Sequence, residues 1–317
     1  MAAYVLPFEK PVVALVDRLR QLREQVATNS QFEPELRRLE EKAGKLAREL
    51  FADLTPMQKV QITRHPNRPY TLEYVRRIFT DWVELHGDRS YADDAALVCG
   101  LARYHGRSVV VVGHQKGRGT KENVIRNFGM ANPEGYRKAV RMYQLADRFR
   151  VPILTFIDTP GAGCGIGAEE RGQSEAIGAA LETMAHVSVP IIATIIGEGG
   201  SGGALALGVA NRMLALEFGC YSVISPEGCA AILWKDGTRA PEAAKQLKIT
   251  APDLLRFGIV EELIEEPPGG AHRDHDEAAR RVDEAVHRTL VALERLSPAE
   301  LVQDRYDRFR KMGAMLA

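Results

Sequence analysis

The sequence predicts an α/β fold built around a parallel sheet. Three short apolar runs rich in β-branched residues begin near residues 109, 152 and 191. Continuous apolar runs of this length are typical of strands that are buried on both faces of a sheet. Each run is followed by a glycine-containing loop and then by a helical pattern, so we expect ligand-binding loops along one edge of the sheet.

Composition and charge narrow the class of protein. Of the 317 residues, 45% are hydrophobic, which is ample for a large core and allows one or two domains. The 42 basic and 42 acidic residues balance, which argues against a nucleic-acid or membrane-surface binder. The amino terminus lacks a signal-peptide pattern, no apolar run reaches transmembrane length, and the four cysteines form no CxxC pair. We therefore predict a cytoplasmic protein with reduced thiols.

An amino-terminal arm, residues 1–54, is predicted to form a helical hairpin ahead of a body that spans residues 55–317. Apolar residues recur at intervals of three and four in two stretches, residues 12–26 and 36–50. Both stretches place charged residues on their other faces, as amphipathic helices do. We expect the two helices to pack on each other and on a partner. A plain surface hairpin without a partner is the alternative.

The body begins with two predicted helices separated by a break. Thr55 and Pro56 suit the N-cap and first turn of one helix, and the second is predicted over residues 71–85. His65 and Arg68 lie in the break between them. A capping or loop role suits both residues better than a role in a site.

A predicted hairpin leads into a basic loop. Strands over residues 97–104 and 108–114 are joined by a His-Gly pair, which is typical of a hairpin turn. The loop that follows is rich in glycine and contains Lys116, Arg118 and Lys121. These side chains could bind phosphate or carboxylate groups, and a loop that contacts only water is the alternative.

The next two predicted strands end in glycine-rich loops. A strand over residues 152–157 precedes DTPGAGCGIG (158–167) and a helix over residues 168–186. A strand over residues 191–196 precedes a turn, GEGGSGG (197–203), and a small apolar helix. Bare backbone at a helix start can direct unpaired N–H groups at a negatively charged oxygen. A tight turn with close helix packing and no ligand is the alternative.

The remaining elements continue the mixed pattern. Helices are predicted over residues 133–150, 226–234, 241–248, 251–257, 274–296 and from Pro298, and strands over residues 212–218, 221–225 and 259–264. His272 and His275 lie three residues apart in a loop, which makes them a weak candidate metal site.

No pair of residues near the glycine-rich loops forms a convincing general acid and base. The acidic residues there are Asp158, Glu169, Glu170, Glu175 and Glu198. Each could instead cap a helix or pair with Arg171. Such a site suits a reaction in which the substrate supplies the base and the protein supplies donors to an oxyanion.

A serine hydrolase is the alternative interpretation of the second loop. Residues 199–203 satisfy the GxSxG nucleophile pattern, with Ser201 between a strand and a helix. The candidate partners are His272, His275, His287, Asp236 and Asp253. A glycine-rich loop matches GxSxG by chance, and no histidine has a distinctive setting, so we favour backbone donors.

Nine stretches together carry a resemblance to a known family. They are RPYTLEYVR (68–76), GHQKGRGTKE (113–122), NFGM (127–130), PEGYRKA (133–139), TFIDTPGA (155–162), GAEERGQSEAI (167–177), IGEGGSGGALA (196–206), YSVISPEGCA (221–230) and EPPGGAHR (266–273). Over nearly its whole length the chain resembles the carboxyltransferase alpha subunits of bacterial-type acetyl-coenzyme A carboxylase. The resemblance implies a crotonase-like fold, a superhelix of ββα units, here with an amino-terminal helical hairpin and carboxy-terminal helices.

The resemblance also implies a reaction and its site. A carboxyl group passes from carboxybiotin, carried on a separate biotin carboxyl carrier protein, to acetyl-coenzyme A, which gives malonyl-coenzyme A for fatty acid synthesis. We assign the biotin oxyanion hole to the N–H groups of Gly202 and Gly203. The predicted biotin-binding residues are Gly161 and Ala162 on the opposite wall, with Gly199, Gly200 and Ser201.

The resemblance implies several partners. The enzyme would be an α2β2 heterotetramer, whose separate beta subunit holds most of the acetyl-coenzyme A and carries the family's zinc ribbon. Biotin carboxylase would complete the larger complex. No metal is expected on this chain, and neither a membrane nor nucleic acid is expected as a partner.

One departure and two alternatives remain. The family pattern usually continues DTPGA with Tyr-Pro-Gly, where this chain has Gly163-Cys164-Gly165, so wall packing near the biotin differs.

Two other functions are the alternatives. A scaffold that only docks a carrier protein would not need two glycine loops. A crotonase-type hydratase or isomerase would need a glutamate pair that has no clear counterpart in this sequence. The sequence leaves open whether the basic loop contacts coenzyme A phosphates, the carrier protein or only water.

Overall fold

The computed structural model describes residues 4–313, which form an eight-stranded sheet flanked by helices. The strands are β1 (Thr80–Glu84), β2 (Leu97–Tyr104), β3 (Arg107–His114), β4 (Ile153–Thr159), β5 (Ile191–Gly200), β6 (Arg212–Leu216), β7 (Cys220–Ser222) and β8 (Glu262–Ile264). The helices are α1 (Lys10–Thr28), α2 (Glu33–Ala52), α3 (Pro56–Thr63), α4 (Thr71–Ile78), α5 (Thr120–Ile125), α6 (Pro133–Phe149), α7 (Ile166–Glu170), α8 (Gln173–His186), α9 (Ser201–Leu205), α10 (Pro226–Trp234), α11 (Ala240–Leu247), α12 (Ala251–Arg256), α13 (His275–Leu293) and α14 (Pro298–Lys311). Within residues 4–313, no helix combines the length and apolar composition that crossing a lipid bilayer requires.

The sheet is mixed, and its parallel part positions the site. The strand order is β1-β2-β3-β4-β5-β6-β8, and β7 pairs with the carboxyl-terminal part of β5, beyond β6. The pairs among β1, β2 and β3 are antiparallel, and those from β3 to β8 are parallel. The carboxyl ends of β3, β4 and β5 therefore meet at one edge, where the loops that follow them come together.

Helices cover both faces of the sheet. Tyr136 and Met142 of α6 and Met184 of α8 belong to the buried cluster on one face. Tyr74 of α4 and Val282 of α13 belong to the cluster on the other. The apolar runs of β3, β4 and β5 are buried between these layers, as the sequence predicts.

The helix predicted over residues 71–85 is wrong beyond Ile78. Phe79 is extended, with φ −114° and ψ 155°, and β1 follows it. β1 pairs with β2, where Gly100 lacks a Cβ and so leaves room for the Trp82 ring. Pairing and packing on a neighbouring strand therefore override the apolar residues at helical spacing.

Boundaries around the glycine-rich stretches also differ from the prediction. The single helix predicted over residues 168–186 is two helices, because Gly172 between α7 and α8 has a left-handed φ of +80°. The turn predicted over residues 197–203 is wrong in its first half, since β5 continues through Gly200 with β7 as its parallel neighbour. α9 therefore begins at Ser201, earlier than predicted, and has only 5 residues. β7 and β8 are 3 residues each, shorter than predicted.

The predicted amino-terminal hairpin is present. α1 and α2 lie against each other, with Leu19, Leu22 and Ala43 buried and an ion pair of 2.8 Å between Arg23 and Glu40. The cluster at the base of the arm consists of Leu6, Phe51, Leu54, Ile62 and Phe218. A partner for this arm stays a prediction.

Candidate functional site

The two glycine-rich segments meet at the carboxyl ends of β4 and β5. A Cβ on Gly203 would lie 2.7 Å from the carbonyl carbon of Gly161 and 2.8 Å from the nitrogen of Ala162. A Cβ on Gly200 would overlap the carbonyl of Pro160. Backbone therefore packs directly on backbone, and the structure brings together all the residues that the sequence assigned to the biotin site.

The assigned residues lie in a buried and an accessible layer. The buried members are Gly199, Gly200 and Gly203, and the accessible members are Gly161, Ala162, Ser201 and Gly202. Within the described residues, no atom lies within 4 Å of the Cβ position of Gly161, so this face of its peptide is open. The Thr159 hydroxyl accepts the Gly161 N–H at 3.1 Å and donates to the Gly161 carbonyl at 2.6 Å. These two hydrogen bonds set the orientation of the open wall.

α9 supplies the candidate oxyanion donors. The helix starts directly after β5, so the amides of its first turn have no acceptor one turn back within the helix. Gly202 and Gly203 contribute two of these amides. In so short a helix the macrodipole is small, and the attraction for negative charge comes from the amides themselves.

A buried ion pair lies beneath the two walls. Lys116 Nζ is 2.5 Å from Asp158 Oδ1, and the same oxygen accepts the N–H of Glu198 at 3.0 Å. Burial alone would lower the pKa of Lys116, but Asp158 and Glu198 outweigh it and raise that pKa above its usual value. Lys116 is therefore charged at neutral pH and neutralises the buried Asp158.

The side chain of Glu198 belongs to a second ion pair. Arg64 binds Glu198 through Nε and an Nη at 3.1 and 2.6 Å, and it binds Glu227 at 2.8 Å. Burial would lower the pKa of Arg64, but the two carboxylates raise it above its usual value. A carboxylate held by a permanent cation is a poor general base, so Glu198 has a structural role here.

His114 is a buried histidine that the sequence did not single out. It ends β3, and neither ring nitrogen has a hydrogen-bond partner within the described residues. Burial lowers its pKa to about 4, against the opposing effects of the Asp158 charge and of the Gly203 and Phe156 backbones. The imidazole is therefore neutral at neutral pH.

The basic loop is mostly engaged within the chain. Arg118 pairs with Glu73 at 2.9 Å and stacks 3.9 Å from the centre of the Tyr70 ring. Lys116 is committed to its buried ion pair. Lys121 is exposed and makes no ion pair within residues 4–313. Of the three basic side chains that could bind phosphate or carboxylate groups, only Lys121 stays free of an ion pair within the described residues.

His65 and Arg68 lie in the loop between α3 and α4, as predicted, and both are buried. Arg68 pairs with Glu266 at 2.5 Å and donates to the carbonyl of Ile196 at 2.8 Å, which anchors β5 from behind. The ring of His65 stacks on that of His272, with 4.0 Å between centroids. Long-range packing of this kind leaves no local signal in the sequence.

Glu9, His65 and His272 form a cluster of residue types that bind metal ions. Glu9 accepts hydrogen bonds from His272 and from Arg273, both at 2.9 Å. Because a guanidinium beside the carboxylate repels a cation, this cluster serves as a clasp between the amino terminus and the body. His275, the predicted neighbour of His272, instead bonds a backbone carbonyl elsewhere, so the predicted pair is not formed. All four cysteines are free thiols.

Ser201 has the backbone of a nucleophile elbow without the partners of one. Its φ is +50° at a strand-to-helix junction, which is the strained geometry of such an elbow. The proposed partners are engaged elsewhere: His272 with Glu9, His275 with Asn67, His287 with His105, Asp236 with Thr238 and Asp253 with Thr250. The described residues therefore assemble no triad around Ser201.

The departure at residues 163–165 has a structural basis. Gly163 donates its N–H to the Ala131 carbonyl at 2.7 Å, and a Cβ there would lie 2.9 Å from the same oxygen. Gln173 donates to the carbonyls of both residues. Gly165 has a φ of +132°, and Cys164 is exposed. Contacts to the backbone just before α6 hold this loop in place. In the family pattern, a proline ring would stiffen it instead.

Comparison with known proteins identifies the family. The family model described as acetyl co-enzyme A carboxylase carboxyltransferase-like matches residues 5–313. The acetyl-coenzyme A carboxylase carboxyl transferase subunit alpha of Sorangium cellulosum is 70% identical over 316 residues, covering 100% of both chains. The protein of the same name from Thermus thermophilus is 54% identical over 310 residues, covering 98% of each.

Solved structures confirm the crotonase-like fold. A transcarboxylase 12S structure with methylmalonyl-coenzyme A and methylmalonic acid bound matches with a TM-score of 0.55 at 20% identity, over 80% of this chain and 44% of that chain. The beta subunit of P. aeruginosa geranyl-CoA carboxylase matches with 0.56 at 17% identity, over 77% and 46%. A Pseudomonas malonate decarboxylase hetero-tetramer in complex with coenzyme A matches with 0.56 at 19% identity, over 69% and 88%. With this fold, and with close relatives aligned end to end, the chain belongs to the family of acetyl-coenzyme A carboxylase carboxyl transferase alpha subunits.

Proposed function

We propose that this chain supplies the biotin half of a site that moves a carboxyl group from carboxybiotin to acetyl-coenzyme A, giving malonyl-coenzyme A. One observation carries the proposal: the start of α9, whose first amides have no acceptor within the helix, packs at backbone contact distance on the peptide wall of Gly161 and Ala162. The open side of that wall, at Gly161, leaves room for a flat ligand that binds to peptide groups. A cradle of this kind fits a ureido ring, which offers an oxygen acceptor and little bulk.

Carboxybiotin, when bound, supplies the activated carboxyl group and a ureido oxygen on which negative charge develops. Gly202 and Gly203 would donate N–H hydrogen bonds to that oxygen, and one such donor is worth about 2.7–4 kcal/mol. The close approach of Gly203 to Gly161 keeps water out of the base of the cradle, which strengthens those hydrogen bonds. A separate general base is unnecessary in this scheme, because the biotin nitrogen that has lost its carboxyl group would take the methyl proton of acetyl-coenzyme A. This agrees with the commitment of Asp158 and Glu198 to ion pairs or backbone.

The rest of the site would come from other chains. We assign most of the acetyl-coenzyme A contacts and the zinc ribbon to a beta subunit in an α2β2 heterotetramer, served by a biotin carboxyl carrier protein and biotin carboxylase in the cytoplasm. Three exposed apolar residues support a covered surface here: Ile166 at the start of α7, Leu205 at the end of α9 and Val223 directly after β7. The related assemblies named above include a hexamer core and a hetero-tetramer.

Reconstitution tests this proposal. The purified chain, a beta subunit, and their mixture are each assayed for malonyl-coenzyme A formation from carboxybiotin and acetyl-coenzyme A, and for malonyl-coenzyme A decarboxylation with free biotin. We expect activity from the mixture and almost none from the chain alone. Negative charge develops on the biotin oxygen and on the thioester oxygen of acetyl-coenzyme A, and only the site for the biotin oxygen is assigned to this chain. Equal rates with and without the beta subunit would contradict the division of the site. No transfer by the mixture would favour the docking scaffold, and hydration of an enoyl-coenzyme A would favour the hydratase.

A further inference from the structure

The carboxylate of Asp158 occupies a break in the sheet directly below the candidate site. β4 and β5 are in regular parallel register up to the Ile157 and Ile195 pair, but Thr159 is next paired with Gly199. Three residues of β5 therefore stand opposite Asp158 alone, and the regular backbone ladder is interrupted there. Asp158 Oδ1 accepts the Glu198 N–H at 3.0 Å within this interval. A side-chain oxygen thus replaces the missing backbone acceptor.

The surroundings of Asp158 are built around its carboxylate. A Cβ on Gly197 would overlap the carboxylate, so a bare strand position makes room for it. Lys116, from the loop after β3, donates to the same Oδ1 at 2.5 Å and balances the charge. The Asp158 side chain is 1% exposed and the Lys116 side chain 14%. One buried carboxylate therefore joins the carboxyl ends of three strands.

Both walls of the candidate site start from this junction. Pro160 and the open wall at Gly161 follow Asp158 along β4, and Ser201 with the α9 amides follows Glu198 along β5. The ladder resumes at the Thr159 and Gly199 pair, directly before the walls, and the Asp158 hydrogen bond spans the interval between that pair and the regular register that precedes it. Misplacing reacting groups by about 1 Å can lower a rate on the order of a hundred-fold.

We infer that Asp158, charge-balanced by Lys116, is a positioning residue that holds the Gly161 wall in register with the α9 amides. This inference rests on the proposed function for its effect on rate. The hydrogen bond itself is independent of that function, which makes the two separable by experiment. The residue contacts neither substrate nor reacting atoms in this scheme and acts through the two walls.

The test compares two variants that remove the same charges. Asp158→Asn with Lys116→Met keeps a side-chain oxygen for the Glu198 N–H, whereas Asp158→Leu with Lys116→Met has nearly the same volume and no acceptor. Replacing a buried ion pair by neutral groups is often tolerated, so both double variants should fold and assemble with the beta subunit. If the leucine variant does not fold, Asp158→Ala in the same background replaces it. Each variant is measured in the reconstituted enzyme and by amide hydrogen exchange over residues 197–203.

We expect the asparagine variant to stay within roughly ten-fold of the wild-type kcat and the leucine variant to fall on the order of a hundred-fold, with KM for acetyl-coenzyme A unchanged in both. Amides of residues 197–203 should exchange faster in the leucine variant alone. Equal kcat values and equal exchange in the two variants would overturn the inference. Lys116 and Asp158 would then only balance each other's charge. If the wild-type enzyme itself transfers no carboxyl group, the proposed function fails while the exchange comparison still decides the role of Asp158.

Discussion

Two segments of the site are rich in glycine for different physical reasons. In the β5 segment, residues 197–203, no glycine has a positive φ, and most added Cβ atoms would strike a neighbour. The neighbours are Asp158 at Gly197, Tyr221 at Gly199, Pro160 at Gly200 and Gly161 at Gly203. In the β4 loop, residues 158–167, Gly161 and Gly165 have no described atom within 4 Å of a Cβ position. Glycine provides close approach in the β5 segment, whereas two of the four glycines of the β4 loop, Gly161 and Gly165, border open space.

This difference distinguishes the β5 segment, in which substitutions meet close neighbours, from the β4 loop, which has room for them at some positions. Side chains and backbone pack closely on four glycines of the β5 segment, so a larger residue at any of them must displace a neighbouring residue. The β4 loop borders open space at Gly161 and Gly165 but approaches Ala131 at Gly163 and Arg171 at Gly167, and it is the loop in which this chain departs from the family pattern. A segment with open neighbours can change its sequence while the donors across from it stay in place.

The strongest test of this comparison is a methyl group at the tightest contact. Gly203→Ala should lower kcat on the order of a hundred- to a thousand-fold, because its Cβ would lie 2.7 Å from backbone and must push α9 off the opposite wall. Gly202→Ala is the matched control, since its Cβ would lie 3.3 Å from the movable Ile177 side chain, and we expect it to stay within about ten-fold. Assembly with the beta subunit and thermal unfolding are measured for both. Full activity of an assembled Gly203→Ala enzyme would place the oxyanion donors elsewhere.

A second pair of variants compares stability in the two segments. Gly197→Ala should lower the free energy of unfolding by about 1–3 kcal/mol, because the new methyl group overlaps the buried Asp158 carboxylate. Gly161→Ala should leave it within about 0.5 kcal/mol, because that Cβ position is open. Chemical denaturation of both variants measures the difference. Gly161→Ala should nevertheless weaken biotin-dependent transfer, since its methyl group enters the proposed cradle, and equal stability losses would contradict the comparison.

Acidic pH should lower the free energy of unfolding through the buried His114. The folded-state pKa of His114 is about 4, below its usual 6.5, because the ring is buried. Between these values the unfolded chain binds a proton that the folded chain does not, so stability falls as pH drops from about 6.5 to about 4. One such histidine contributes a slope of up to about 1.4 kcal/mol per pH unit.

The measurement is the free energy of unfolding against pH for wild type and His114→Gln. The wild-type slope should be steeper, and His186→Gln, at an exposed position, serves as the control for loss of an imidazole. His65 and Glu9 also make all three proteins less stable in acid. Burial lowers the pKa of His65 to about 4. Burial alone would raise the pKa of Glu9, but hydrogen bonds from His272 and from the Leu6 N–H outweigh it and lower that pKa to about 2. Identical slopes for wild type and His114→Gln would show that His114 is protonated in the folded state.

The sequence predicts the parts of this molecule that rest on local pattern. The β2–β3 hairpin, the buried strands β4 and β5, α6 and the amino-terminal hairpin all appear where periodicity and turn residues place them. The resemblance to the family also implies that the two glycine-rich segments face each other. By contrast, the apolar spacing predicts a helix where β1 forms, because pairing with β2 depends on residues distant in sequence.

The supports of the site could not be predicted for the same reason. The Lys116 and Asp158 pair spans 42 positions, and the Arg64 and Glu198 pair spans 134. The sequence spacing of neither pair identifies it as an ion pair. The burial of His114, which His65 and His272 share, also leaves no local signal in the sequence. The reason for each glycine was equally hidden, since composition does not distinguish a glycine needed for close approach from one needed for a positive φ.

The smallest expected effect is at Ser201, which lies between the two regions. Ser201 is exposed at the start of α9 with a φ of +50°, and no described residue accepts or donates a hydrogen bond to its hydroxyl. Because the backbone of this segment is proposed to act, Ser201→Ala should keep kcat within a few-fold of wild type and lower stability by less than about 1 kcal/mol. Ser201→Gly should be at least as stable as Ser201→Ala, since glycine adopts this φ without strain. The decisive measurement is reaction with a fluorophosphonate. Labelling of Ser201 with matching loss of carboxyl transfer would favour the hydrolase. An enzyme that stays unlabelled and active would support the proposal that this segment acts through its peptide N–H groups.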